Sequence, residues 1–529
     1  MAVNPLKTPF TNMSFTPDVP SAALQANEYN AGHNVETDTR GIKSILGEIP
    51  ILSTIPGNIV FVTSGFRNGG VYWFIVATDD GTWYAMNDAG YTNISSAAVG
   101  YSGSGYSQHL PITASWNGEV LFINDSLNPP MYLLPGINTL RLYDNAPDNY
   151  VWNYNPDWSG LVAGFLRVYN SPNLGSLLIA GNLTANVIST GTTVNYPTTV
   201  RWSQNFGLNS GPTTWAPTLV NTANEVEFPV RGPVVDGFPL NGNFYICSYW
   251  DTCVMSPISY QSSTAPVFGI KLVNQGRGLL NENCWSNVDN TVFGLDARDI
   301  WSFDGGTFKP IGNQRVKDYF FANLNQNYVN QVFMMNNSSK YEIEIYYPDL
   351  TSTGYCNQMI SYRYDLDAWN PPRTVVAATM ATEAPLFTSN IANLASRGII
   401  YANGSGNVCL LQKDTGTSFY GNTRINALFQ RNNISYGQPY SAKVQVHRVL
   451  PEIVGTGNIT IGIGGADSVQ GTPVFRPNVE MQIDTVNPWV QIDQNDSRVV
   501  TMQVSSNSAV NSWQMTAANW QITVVEETR

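Results

Sequence analysis

N-T-V-F-G-L-D-A-R-D-I-W-S-F-D-G-G, residues Asn290 to Gly306, decides the fold of this chain. Two short apolar runs, Val292-Phe293-Gly294-Leu295 and Ile300-Trp301-Ser302-Phe303, flank the polar turn Asp296-Ala297-Arg298-Asp299, and Asp304-Gly305-Gly306 closes the unit. β-Branched and aromatic runs bounded by Gly and Asp read as a hairpin. Six similar units open near Val71, Glu119, Leu177, Asn243, Tyr341 and Gly398. With this one they lie about 48 to 66 residues apart, at or above the 40–50 residues of a propeller blade. An all-β chain is expected, with a β-propeller of five to seven blades over residues 57–420.

The sequence on either side differs. Residues 1–56 carry Pro5, Pro9, Pro17, Pro20, Pro50 and Pro56, which break long elements, with room only for a short helix within Ser21–Asn30. Phe10, Phe15, Ile42, Ile45, Leu46, Ile49 and Ile51 are too apolar for a free tail, so an extended arm packed on the platform or on a neighbouring subunit is expected. The stretch 182–241, rich in Thr, Asn and Pro, reads as a long insertion leaving the propeller. After residue 421 the pattern becomes clean alternation, as in Ile459-Ile461-Ile463, Val500-Met502-Val504 and Trp520-Ile522-Val524. One buried and one wet face per strand predicts a C-terminal β-sandwich-like platform domain over 421–529.

Composition narrows function. Charged residues make up 12% of the 529, against roughly a quarter in ordinary domains, while 43% are hydrophobic. A packed core is assured, and the surface is polar yet thinly charged, as suits faces buried in an assembly. The net charge of −12 and the lack of any basic run argue against a grip on phosphate backbones. Met1-Ala2-Val3-Asn4-Pro5 has no basic start before an apolar core, so no export signal is expected. The odd, scattered set Cys247, Cys253, Cys284, Cys356 and Cys409 lacks metal-site spacing and reads as buried thiols.

Catalytic signals are weak. His33, His109 and His447 share no motif. Around Ser104 the nucleophile-elbow pattern fails, and Gly462-Ile463-Gly464-Gly465 lacks the third glycine of a dinucleotide loop. Thr78-Asp79-Asp80-Gly81-Thr82-Trp83 only faintly matches the Asp-box of sialidase propellers, with its Trp one residue early. Asp296, Asp299 and Asp304 fall in hairpin turns, where Asp caps backbone. No catalytic residue, cofactor or metal is expected.

Several stretches resemble the tail nozzle proteins of short-tailed bacteriophages (podoviruses), the tail tubular protein B family. They are Arg201-Trp202-Ser203 followed by Trp215, Gly276-Arg277-Gly278-Leu279-Leu280 leading into the 292–305 hairpin, Tyr364-Asp365-Leu366-Asp367-Ala368-Trp369, and the strands around Trp513 and Trp520. The resemblance runs from Asn34-Val35 to the final strand. It implies a structural virion protein and no enzyme: a homohexameric distal tail tube below a tail adaptor protein, which carries the genome out. DNA passes without specific binding, tail fibres or spikes are candidate neighbours, and the host envelope is met indirectly. It also implies assembly in the host cytoplasm and residence in the virion. The alternative is a carbohydrate-active β-propeller enzyme or lectin, which needs convergent carboxyls in one pocket.

Overall fold

The computed structural model describes residues 4–527 apart from 97, 99, 102, 104, 107–110, 145–149, 259–266, 389–390, 406–408, 438–440, 469–470, 484–488, 493–495 and 508–511. His109 and Ser104 lie outside the described residues. What is described is almost entirely antiparallel sheet, with one α-helix, Lys317–Asn323, and two 3-10 turns. None of these helices is long and apolar enough to cross a membrane.

The units recognised in the sequence are the central strand pairs of seven four-stranded blades. Strands Thr291–Leu295 and Ile300–Phe303 pair Leu295 with Ile300 across the 296–299 turn, and Trp285–Val288 and Phe308–Pro310 flank them. The blades built on 59–93, 113–142, 158–227 and 234–275 repeat that order. The last two share the 21-residue strand Ala368–Thr388, whose first part pairs with Cys356–Arg363 and whose last part pairs with Ile391–Asn403. Ala377, at φ 45°, sits where one register ends and the next begins. A residue with a Cβ rarely adopts that conformation, and here it lets an outer strand turn into the next inner one.

Alternation along each strand buries one side chain set against the preceding blade and the other against the following blade. Apolar clusters therefore fill every interface of the ring. Between the first two blades lie Ile75, Trp83, Leu121 and Leu133; Phe122, Trp152 and Leu178 fill the next gap, and Phe165, Trp202 and Phe244 the third. Phe238, Tyr245 and Trp301 follow, then Leu295, Ile343 and Ile345, then Phe333, Tyr346 and Tyr401. Ile51, Val62, Phe74, Phe387 and Ile400 join the seventh blade to the first. Closure comes from the opposite end of the chain: Gly47–Ile51 pairs with Leu410–Gly416 as the outermost strand of the seventh blade. Joining the two ends in one ladder shields that edge and ties the circle shut.

The stretch 182–241 corrects the sequence reading. In place of an unstructured insertion it supplies Gly175–Val187, Thr192–Trp202 and Asn224–Glu227 to the third blade and Val234–Leu240 to the fourth. Its Thr and Asn sit on strands that extend past the ring and so carry polar faces on both sides, which hides the alternation. The intervening loop is pinned by Trp215, buried at 4.7 Å from Trp152.

The C-terminal strands form two six-stranded sheets packed face to face, with Val446, Ile461, Met502, Val504, Trp520 and Ile522 between them. Four strands of the N-terminal arm complete them. Asn4–Pro9 pairs with Trp513–Glu527, Ala31–His33 with Asn426–Ile434, and the hairpin Val35–Asp38/Gly41–Ser44 with residues 514–515. Pro5 and Pro9 fit because their strand is an edge, where a missing amide hydrogen leaves no ladder bond unmade. Phe10 and Tyr29 pack edge-on against Phe429 at 5.2 and 5.1 Å. Ser21–Ala23 is a single 3-10 turn without a side-chain cap. The Ser21 hydroxyl accepts from Asn30 and Asn432, and the chain turns extended at Leu24, so the helix ends after one turn.

Candidate functional site

Most residues singled out in the sequence are structural. Arg201 is fully buried; it bonds Glu225 through Nε (3.0 Å) and Nη2 (2.6 Å), gives Nη1 to the Trp152 carbonyl, and lies over the rings of Trp152, Tyr154 and Trp158. Its neighbour Trp202 fills the gap to the fourth blade. Trp369 donates Nε1 to the Ile311 carbonyl, and Trp513 and Trp520 lie in the sandwich core. All five cysteines are buried and free, with burial raising the thiols. His33 and His447 bond the hydroxyls of Thr374 and Thr523. Gly462, Gly464 and Gly465 sit in the strand Asn458–Ala466.

The hairpin carboxylates cap backbone and bind one arginine. Asp296 Oδ1 accepts from the amides of Arg298 and Asp299, while Arg277 reaches Asp296 at 3.2 Å and Asp299 at 3.0 Å. Gly278 must follow Arg277, because a Cβ there would meet the Ser248 carbonyl oxygen at 2.1 Å. Arg277→Ala is expected to cost about 1–2 kcal/mol by leaving two largely buried carboxylates short of a partner. Urea unfolding checks this; an unchanged midpoint would reduce the ion pair to decoration.

Charge does gather in two places. The first is the seam between the arm and the last two blades. Lys340 Nζ lies 2.7 Å from Glu36 and 2.9 Å from Asp414; Lys413 Nζ lies 2.7 Å from Glu344 and 3.0 Å from Asp414. Arg373 bonds Asp414 and stands 3.8 Å from Glu48, and Lys43 reaches Glu36 from the rim at 3.1 Å. Glu342, also buried, accepts only from the Asn370 amide among the described residues. With Asp38, which Lys43 also reaches at 3.4 Å, six carboxyls thus face four cations. Burial opposes ionisation of Glu36, but Lys340 and Lys43 outweigh it and hold the carboxyl far below its usual range. Burial dominates at Glu342 and, with Glu36 and Glu344 close by, lifts it to about 7.

The second place is a cavity of about 60 Å³ on the ring axis. Segments that lead into the inner strands line it: Val60 and Phe61, Pro111 and Ile112, Glu282 and Asn283, Asn330 to Phe333, and Thr379 with Met380. Asn283, at φ 63°, turns the chain there. Its Nδ2 donates to the Ile112 carbonyl and its Oδ1 accepts from Arg167. Arg167 is held by Asp236 through two bonds of 2.9 and 2.5 Å, and Asp236 also accepts from Trp285 Nε1. Tyr106 closes one side, its hydroxyl donating to Asp125. Glu282 is the one carboxyl residue among the described lining; burial raises it to about 7, helped by Asp236 and opposed by Arg167.

Sequence reasoning missed both clusters. Residues 36, 48, 342, 344, 373, 413 and 414 share no spacing, and Glu282 stands in N-E-N-C without a motif. Only ring closure brings them together.

No family model matches the chain, and no curated protein matches it. Among solved structures it is similar to the computationally designed Ika8 protein, at 10% identity over 69% of this chain and 99% of that one, with a TM-score of 0.35. It is also similar to BBS1N, in a crystal structure with ARL6DN, at 8% identity over 70% of this chain and 96% of that one, with a TM-score of 0.37. Likenesses of that depth carry no argument about function, and the propeller stands on its own sheet order.

Proposed function

We propose that the chain is a structural subunit of the distal tail tube, or nozzle, of a short-tailed phage, a homohexamer through which the genome leaves. The observation that carries this reading is the way one arm sutures both domains. Residues 4–9 and 31–44 enter the two sandwich sheets and 47–51 closes the propeller, so one arm is hydrogen-bonded into both ring and platform. Such a block suits a wall that must keep its shape under load. Charge placement supports the same reading. Arg67, Arg167, Arg201, Arg373, Arg431 and Lys413 are buried and cannot reach phosphates. Apolar side chains are exposed at loops and hairpins, among them Val220 at 91%, Leu208 at 72% and Ile391 at 70%, and a neighbouring subunit would cover them.

A carbohydrate-active propeller needs two facing carboxyls, whereas the described lining of the axial cavity offers Glu282 alone. Sedimentation of the purified protein and imaging of isolated tails test the proposal. A ring of six copies below the adaptor is expected, with no retention of duplex DNA at low salt. A strict monomer missing from tails would overturn it.

A further inference from the structure

The axial cavity holds a chemical imbalance that the conduit reading does not use. Glu282 shares it with the aromatic residues Phe61, Tyr106 and Phe333 and with Gln331. The nearest guanidinium cannot serve it. Arg167 directs Nε and Nη2 to Asp236, Nη1 to the Ala114 carbonyl, and Nη2 also to Asn283. A carboxylate in such a chamber either keeps a proton or takes a cation.

We propose that this cavity binds a primary alkylammonium group, with the Glu282 carboxylate as counter-ion and the aromatic rings around the charged head. The class follows from the donors. A hard divalent ion wants six or more oxygen ligands, usually from several carboxylates, and the described lining has one carboxylate. An ammonium needs one anion, a carboxamide oxygen or two, and π faces, which are attractive to cations by roughly 0.5–2 kcal/mol. At about 60 Å³ the cavity has room for such a head group. A free amine and a lysine side chain of another protein share this chemistry. The inference does not depend on the virion role.

Proton and ammonium compete for one carboxylate. The charged and titratable groups around Glu282 are Tyr106 with Asp125, the paired Arg167 and Asp236, Tyr249 and Cys284. Of these, Glu282 itself is the group poised near neutrality.

Titration calorimetry of the full chain with n-butylammonium tests this. Binding is expected at pH 8 and should weaken roughly 10–30-fold by pH 5.5 as the proton wins. n-Butanol, of the same shape without charge, should not bind. Glu282→Gln should abolish binding, with near-ultraviolet dichroism confirming the fold; Glu282→Asp should weaken it and keep the pH dependence. Nα-acetyl-lysine methylamide binding as well as the amine indicates a protein side chain as ligand; binding of the amine alone indicates a free amine. Equal affinity in Glu282→Gln, affinity independent of pH, or no heat at pH 8 with tens of millimolar amine overturns the proposal.

Discussion

Lys413→Met is expected to lower stability by about 3–5 kcal/mol, the range for removing one partner of a buried ion pair. Lys413 is 1% exposed, and its ammonium joins Glu344 at 2.7 Å to Asp414 at 3.0 Å. Methionine fills the space but leaves the Glu344 carboxylate with only the Asn337 amide and the Tyr346 hydroxyl, in a site water does not reach. The loss should fall first on the seam, so amides of 47–51 and 410–416 should exchange faster than those of the second and third blades. Adding Glu344→Gln should restore most of the lost stability, because the uncompensated charge, more than the missing bond, carries the penalty. A single-variant cost under about 1 kcal/mol, or a double variant no better than the single, would sink this account of the seam.

Glu342→Gln is expected to have the opposite effect, and only at higher pH. The carboxyl is lifted to about 7 by burial, with Glu36 and Glu344 adding to the lift against Lys340 and Lys413. The sign follows from proton counting. Between the ordinary carboxyl value near 4.5 and about 7, the unfolded chain has released this proton while the folded chain still holds it. Unfolding therefore becomes easier as pH rises through that window, and the contribution is fully present only below it. Glu36 and Asp414 run the other way: their carboxyls are depressed, so their contribution is present above about 4–5 and is lost as pH falls further. Glutamine keeps the acceptor for Asn370 and mimics the protonated acid. At pH 4, below that window, the variant should match the parent; at pH 8 it should be more stable by about 2–4 kcal/mol, one pKa unit being worth 1.36 kcal/mol. Unfolding midpoints at both pH values measure this, and a gain of equal size at both would point to packing.

The two experiments also separate the roles of the seam and the axis. Charge removal at the seam should alter the hold of the arm without touching amine binding at Glu282. Loss of binding in Lys413→Met would mean that the ring itself had opened.

What the chain declares locally is its β character. Turn chemistry at Asp296–Asp299 and Asp304–Gly306, aromatic runs such as Val71–Thr78, and alternation at Asn458–Ile463 each specify a strand through neighbours a few residues away. Short-range rules therefore sufficed for the blade units and the terminal sheets. They failed at 182–241, where residues 192–199 are at least partly exposed on both faces of their strand, and at 1–56, where pairing partners lie hundreds of residues away. Tertiary structure alone decided that Gly47–Ile51 closes the ring, that Arg201 fills its own aromatic cage, and that six carboxyls meet four cations at one seam. It also placed Glu282 on the axis. The physical reason is range: strand propensity and turns are set by adjacent residues, whereas the partner of a buried charge is set by where a closed circle of sheets brings distant loops together.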